Sequence, residues 1–187
     1  MQHALRKMVQ EYVDEHYCLA WLLTGNRNHC VQTLTDALDA LDGDMTSETF
    51  RGFWLSWARQ LVIAAALGKI KSQLRESMLR TQLAADNGLD DLSTPAVANY
   101  HRLSKLDLER ALLAIDIFPR CVLLLTVFEG FSVQDASSLL NADLKLVKVV
   151  QVRALVELAR RIGSRYERPD PPATARQIRP VLRAAAA

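Results

Sequence analysis

The stretch Phe118-Pro119-Arg120-Cys121-Val122-Leu123-Leu124-Leu125-Thr126-Val127-Phe128-Glu129-Gly130-Phe131-Ser132-Val133-Gln134-Asp135-Ala136-Ser137-Ser138-Leu139-Leu140-Asn141-Ala142-Asp143 decides the fold. Pro119 suits the first turn of a helix, where a missing amide costs nothing. Cys121 to Phe128 is apolar nearly all round. At that length such a helix is the buried centre of a small bundle, not a membrane span. Glu129-Gly130-Phe131 ends it. Ser132 followed three residues later by Asp135 has the spacing of a capping box. A short helix is therefore expected to Leu140, then a tight Asn141-Ala142-Asp143 turn, then a long helix to about Arg161. This is the arithmetic of a helix-turn-helix, in which the helix after the turn enters the major groove. Lys145, Lys148, Gln151 and Arg153 on that helix are the candidate duplex contacts. Arg160, Arg161 and Arg165 beyond them can neutralise phosphates. A small bundle with a solvated basic face fits the same pattern.

Working outward, Lys105 to Arg165 forms a helical back block opened by Leu106, Ala111, Leu112, Ile115 and Ile117. Before it, Asp86-Asn87-Gly88 and Ser93-Thr94-Pro95 punctuate a stretch of thin apolar pattern, read as a linker over 83–103 with room for a short helix after Pro95. The front block, residues 1–82, is helical too. Met8, Tyr12, Leu19, Leu22 and Leu23 recur at helical spacing until Gly25-Asn26. Val31, Leu34, Leu38 and Leu41 form the expected apolar stripe of a second helix, from about Asn28 to Leu41. Asp42-Gly43-Asp44 stops that helix, and Thr46 or Ser47 can cap a third through Phe50, Phe53, Trp54, Trp57 and Leu61. Lys69, Lys71, Arg75 and Arg80 lie on a more polar continuation. The tail, 167–187, is expected to be loose, with four of the chain's prolines.

The chain has 187 residues, half of them hydrophobic, with a formal net charge of +2. That suffices for one medium or two small domains with a buried core. The charge is unevenly spread. Asn141 to Ala187 holds ten basic and four acidic residues, whereas Val31 to Phe50 holds five acidic and none basic. Two different partners are the natural reading. No apolar run has the length of a bilayer span, and Met-Gln-His-Ala-Leu-Arg-Lys opens no secretory leader. Cys18, Cys30 and Cys121 are too few and too scattered for a disulfide scaffold, so a cytoplasmic protein is expected.

The run Phe118-Pro119-Arg120-Cys121-Val122, then Phe128-Glu129-Gly130-Phe131-Ser132, Asp135-Ala136 and Leu139-Leu140, resembles the last DNA-binding domain of bacterial RNA polymerase sigma factors of the extracytoplasmic-function type. Val147-Lys148 and Arg153-Ala154 fall where that family has valine-lysine and arginine-alanine in its recognition helix. In the front block, Leu19-Ala20-Trp21-Leu22-Leu23-Thr24-Gly25-Asn26 is similar to the family's first conserved helix and turn. Phe53-Trp54-Leu55-Ser56-Trp57-Ala58-Arg59 is similar to its tryptophan-leucine helix. The resemblance covers about Gln10 to Arg161. It implies an all-α chain of two small helical domains joined by a linker, the second (104–166) a helix-turn-helix bundle. The front domain would dock on core RNA polymerase, with Gln32, Asp36 and Asp39 facing it. Arg59, Lys69, Lys71 and Arg75 would touch promoter DNA near the opening site. An anti-sigma or other regulatory protein is a further implied partner.

The chain also departs from the family. Cys30-Val31-Gln32-Thr33-Leu34-Thr35-Asp36 lacks the acidic pair expected there, and Gln60, Ala64 and Leu67 stand where asparagine, aspartate and arginine are usual. The recognition helix reads Leu144-Lys145-Leu146-Val147-Lys148-Val149-Val150-Gln151-Val152, and not all its apolar residues can be core. Some of Leu146, Val149, Val150 and Val152 must be exposed, and an exposed apolar stripe marks a protein interface; Val149 and Val150, with Ala64 and Leu67, favour that reading. Two readings therefore stand: a divergent sigma factor directing polymerase to promoters, and a sigma-like scaffold serving as a protein-interaction module. Phe53 and Trp57 are expected in the core, and Trp54 is open to stacking on bases. His16, Cys18, His29 and Cys30 lack a zinc-ligand spacing. There is no phosphate loop, nucleophile elbow or metalloprotease helix. No cofactor, metal or catalytic activity is expected.

Overall fold

The computed structural model describes residues 16–41, 50–86 and 104–166, and among them every regular element is a helix. They are α1 (16–24), α2 (Arg27–Leu41), α3 (Phe50–Lys69), α4 (Lys71–Asp86), α5 (Lys105–Leu113), α6 (Ile117–Leu123), α7 (Val133–Leu140) and α8 (Leu144–Tyr166). α6 runs on as a π-helical turn over Leu124–Phe128. The all-α expectation holds. α4 continues to Asp86, past the boundary drawn at 82, and α8 to Tyr166, past Arg161. Residues 87–103 of the expected linker, the tail 167–187, Met8 and Tyr12, the Asp42-Gly43-Asp44 stop and the caps Thr46 and Ser47 lie outside the described residues. So do the side chains of Phe50, Phe53, Trp54 and Trp57.

Local chemistry sets the helix ends. Gly25 takes φ +64 after α1, and Asn26 then caps α2, its Oδ1 accepting from the amides of Asn28 (2.9 Å) and His29 (3.2 Å). Asp116 caps α6 by accepting from the Ile117 amide, with Pro119 third in the helix. The π turn shows in the Glu129 amide donating to the Leu124 carbonyl, a step wider than in an α-helix. Ser132 caps α7, accepting from the Asp135 amide at 3.1 Å, as its spacing implied. α7 closes with the amide of Ala142 on Ser137 O and that of Asn141 on Ser138 O, a Schellman closure with Asn141 at φ 48. Asp143 Oδ1 then accepts from the amides of Lys145 and Leu146 and starts α8.

The core corrects part of the expected pattern. In α2, Cys30, Thr33 and Ala37 are buried and Leu34 packs partly buried against the core, while Val31 is exposed; the side chains of Leu38 and Leu41 lie outside the described residues. In α5 Leu106 is exposed and Ala111 and Leu112 are inside. The apolar-all-round segment is the centre as far as Leu125: Phe118 and Cys121 through Leu125 are buried, whereas Val127 and Phe128, where the helix widens into the π turn, are exposed. Leu19, Leu23, Ile63, Ile70 and Leu74 of the front block join Phe118, Leu124, Val147 and Val150 of the back block in one continuous cluster. Front and back are thus packed on each other, principally through α4 against α6.

Candidate nucleic-acid interface

Lys145 and Lys148 are both exposed at the N-terminal end of α8, one turn apart, and the buried Val147 and Val150 anchor the helix behind them. A helix N-terminus already carries partial positive charge, and two ammonium groups add to it. Below the lysines the same outward face carries Val152, 51% exposed, and Leu155, 40% exposed. The apolar surface expected on this helix is therefore present, with Val152 the exposed member of the valine run. Val150 is 1% exposed and belongs to the core, and Val149 is half-buried. Gln151 is half-buried. Arg153 turns toward α4, where its Nη1 donates to the Ala84 carbonyl at 3.4 Å.

The front-block candidates divide. Lys71 and Arg75 are exposed along α4. Lys69 Nζ lies 2.8 Å from Asp36 Oδ2, so an expected DNA contact and an expected polymerase contact partly neutralise one another across α3 and α2. Gln32 and Asp39 are exposed on α2. Arg59 grips Glu129 with two bonds, Nε to Oε2 at 2.5 Å and Nη2 to Oε1 at 3.0 Å. Gln60 and Ala64 are exposed, whereas Leu67 is buried on the face of Ile63 and Ile70. Leu67 is thus a packing residue, not a surface position from which a base contact has been lost.

Several residues that organise this surface carried no assigned role in the sequence. Arg120 is 5% exposed, and its Nη1 donates to the carbonyls of Leu113 (3.2 Å) and Ile115 (3.1 Å). Burial lowers its guanidinium from the ordinary value, and Cys121 and Asp116 act in the opposite direction. The Arg120 head abuts the Gly25 turn of the front block, and beside it Thr24, Gln73, Asp116, Glu157 and Arg161 line a cleft of about 590 Å³. A smaller recess of about 280 Å³ lies between Arg59, Gln60 and Ile63 of α3 and the Glu129–Ser132 turn. Burial pushes the Cys18 thiol up, and the neighbouring carboxylate of Glu109, 3.7 Å from Cys18 Sγ, adds to the rise. Among the described residues no His, Cys, Asp and Glu side chains group as a metal site. No described helix is long and apolar enough to cross a membrane.

No family model matches the chain, and no curated protein matches it. A solved structure of the sigma factor RpoE in complex with the anti-sigma factor NepR from Bartonella quintana is similar to it, with 19% identity and a TM-score of 0.48, covering 86% of this chain and 97% of that one.

Proposed function

We propose that the protein is a divergent, non-catalytic sigma-like factor of transcription initiation, meeting duplex DNA through α8 and core RNA polymerase through the acidic face of α2. The observation that carries this reading is the α7–turn–α8 unit. A capped short helix and a left-handed Asn141 turn lead into a helix that is rooted by Val147 and Val150 and presents Lys145 and Lys148 outward. The sequence resemblance of both blocks to extracytoplasmic-function sigma factors supports the same reading. Gln32, Asp36 and Asp39 are the proposed polymerase contacts, and Lys71 and Arg75 add phosphate contacts from α4. Lys71, Arg75, Lys145 and Lys148 act electrostatically, so binding falls steeply with salt. A regulatory protein of the anti-sigma kind is a further proposed partner.

Exposed Val152 and Leu155 support the second reading, a protein-interaction module, because neither can hydrogen-bond a base edge. One experiment separates the two. Purified protein is tested for capture of bacterial core polymerase and for binding to mixed-sequence duplex DNA across a salt series, with Lys148→Glu alongside. Polymerase capture, with a duplex affinity that Lys148→Glu weakens and whose salt slope it flattens by ~1, supports the sigma-like reading. Loss of neither with Lys148→Glu removes α8 from the DNA surface. Failure to bind polymerase moves the weight to the interaction module.

A further inference from the structure

Several polar contacts fasten the two blocks, and one of them uses a side chain, Arg59, that the sequence resemblance assigns to promoter DNA. Ser77 of α4 bonds to Asp116 and to the Phe118 amide of α6. The Gly25 turn sits against the Arg120 guanidinium. Arg59 of α3 holds Glu129, the residue that ends the π turn and leads into the helix-turn-helix unit.

We propose that the Arg59–Glu129 pair is an autoinhibitory contact in which the Glu129 carboxylate occupies the position of a DNA phosphate on Arg59. This rests on the reading of Arg59 as a backbone contact. The geometry supports it in three ways. First, a guanidinium binds a carboxylate and a phosphate with the same two-pronged fork, so a phosphate competes with Glu129 for the Nε–Nη2 edge of Arg59. Second, the partners are unequally exposed: Arg59 is 45% exposed at its side chain, Glu129 only 6%. The cation therefore faces solvent where a phosphate could arrive, while the carboxylate is set into the protein and cannot relax into water. A carboxylate so placed is costly without its counter-charge, so Arg59 is retained until the turn carrying Glu129 moves away from α3. Third, a recess of about 280 Å³ beside Gln60, Ile63 and Gly130 opens next to the pair on the side of the exposed Arg59. Release of Arg59 and parting of α3 from the 129–132 turn are thus one event.

The test uses the whole chain. Duplex affinity is measured by anisotropy on mixed-sequence DNA over a salt series for wild type, Glu129→Gln, Arg59→Gln and the double variant. Hydrogen exchange of 129–132 and of α3 is followed in the same proteins. Glu129→Gln is expected to speed exchange at both segments, to raise duplex affinity about threefold to tenfold, and to steepen the salt slope by ~1. The gain must vanish in the Arg59→Gln background, because a gain that persists there is mere removal of a negative charge and overturns the proposal. Faster exchange with unchanged affinity makes the pair a fastening only and overturns it too. If Glu129→Gln fails to fold, Glu129→Asp, which keeps the charge but shortens the reach, must give the same Arg59-dependent gain. Wild-type binding that is indifferent to Lys148→Glu indicts the α8 reading instead, and does so whatever Glu129→Gln does.

Discussion

The Phe118 amide donates to Ser77 Oγ at 3.0 Å, and the same hydroxyl donates to Asp116 Oδ2 at 2.9 Å. One buried serine in the front block thus satisfies an otherwise unpaired amide in the first turn of the central helix and steadies the carboxylate that caps it. Arg80 lies 3.4 Å from the same carboxylate. Ser77→Ala leaves the Phe118 amide buried without an acceptor. It is expected to destabilise the protein by about 1–3 kcal/mol, read as a lower denaturant midpoint at constant slope. An unchanged midpoint would show that the α4–α6 bond contributes nothing.

Gly25 is the second point of attachment. Its φ of +64 disfavours any side chain, and an added Cβ would lie 2.9 Å from Arg120 Nη2. Arg120 cannot swing aside without giving up its bonds to Leu113 and Ile115. Gly25→Ala should therefore cost more than the roughly 1–2 kcal/mol of the left-handed backbone alone. Gly68, in the last turn of α3 with open space around it, makes the control: Gly68→Ala should stabilise by up to about 0.5–1 kcal/mol. Equal effects at the two glycines would contradict the packing of the Gly25 turn on Arg120.

On α8, two valines two residues apart are expected to behave oppositely. Val150 is buried in the shared core and Val152 is exposed. Val150→Ala should lower stability by about 1–3 kcal/mol through lost burial and the cavity left behind. Val152→Ala should change it by less than about 0.5 kcal/mol. On the interaction-module reading Val152→Ala weakens partner capture without touching stability. Thermal melts of the two variants check the first contrast, and a reversed order would mean that α8 is rotated about its axis.

Much of this fold was legible in the residues because its punctuation is local. Ser132 and Asp135, Gly25-Asn26 and Asn141-Ala142-Asp143 set helix ends through bonds within a few positions, and the structure has those bonds. The register of α2 was less legible. Its inward face uses Cys30, Thr33 and Ala37, small residues that suit close packing against α3, whereas the aliphatic Val31 faces out. Hydrophobic pattern weighs side-chain type and does not register how closely two backbones approach. Which of Val149, Val150 and Val152 is covered was not legible for a related reason: in a run of valines only the neighbouring helices decide. The candidate site was half legible. Lys145 and Lys148 are on the surface, but the engagement of Lys69 by Asp36 and of Arg59 by Glu129 depends on residues 33 and 70 positions away. No spacing rule reaches across that separation.

The cysteines give a last prediction, with a sign that follows from burial. Cys121 lies wholly inside the α6 core, and burial pushes its thiol up to about 12, with Arg120 opposing only in part. In the unfolded chain it would ionise near the ordinary thiol value of about 8.5. The folded state therefore binds the proton more tightly. Its advantage from this group is full below the unfolded value and is lost as pH rises toward about 12. The slope of that loss is at most about 1.4 kcal/mol per pH unit for one group. Cys121→Ala removes the term, so stability of the variant should fall less steeply than that of wild type between about pH 9 and 11, although the variant starts lower because a buried sulfur is missing. Alkylation gives a second readout. Cys18 is half-buried and should react first, while Cys30 and Cys121, both buried, should label only as the protein unfolds. Parallel pH slopes for wild type and Cys121→Ala, or labelling of Cys121 as fast as Cys18 in the folded protein, would place α6 at the surface and undo the packing of front on back.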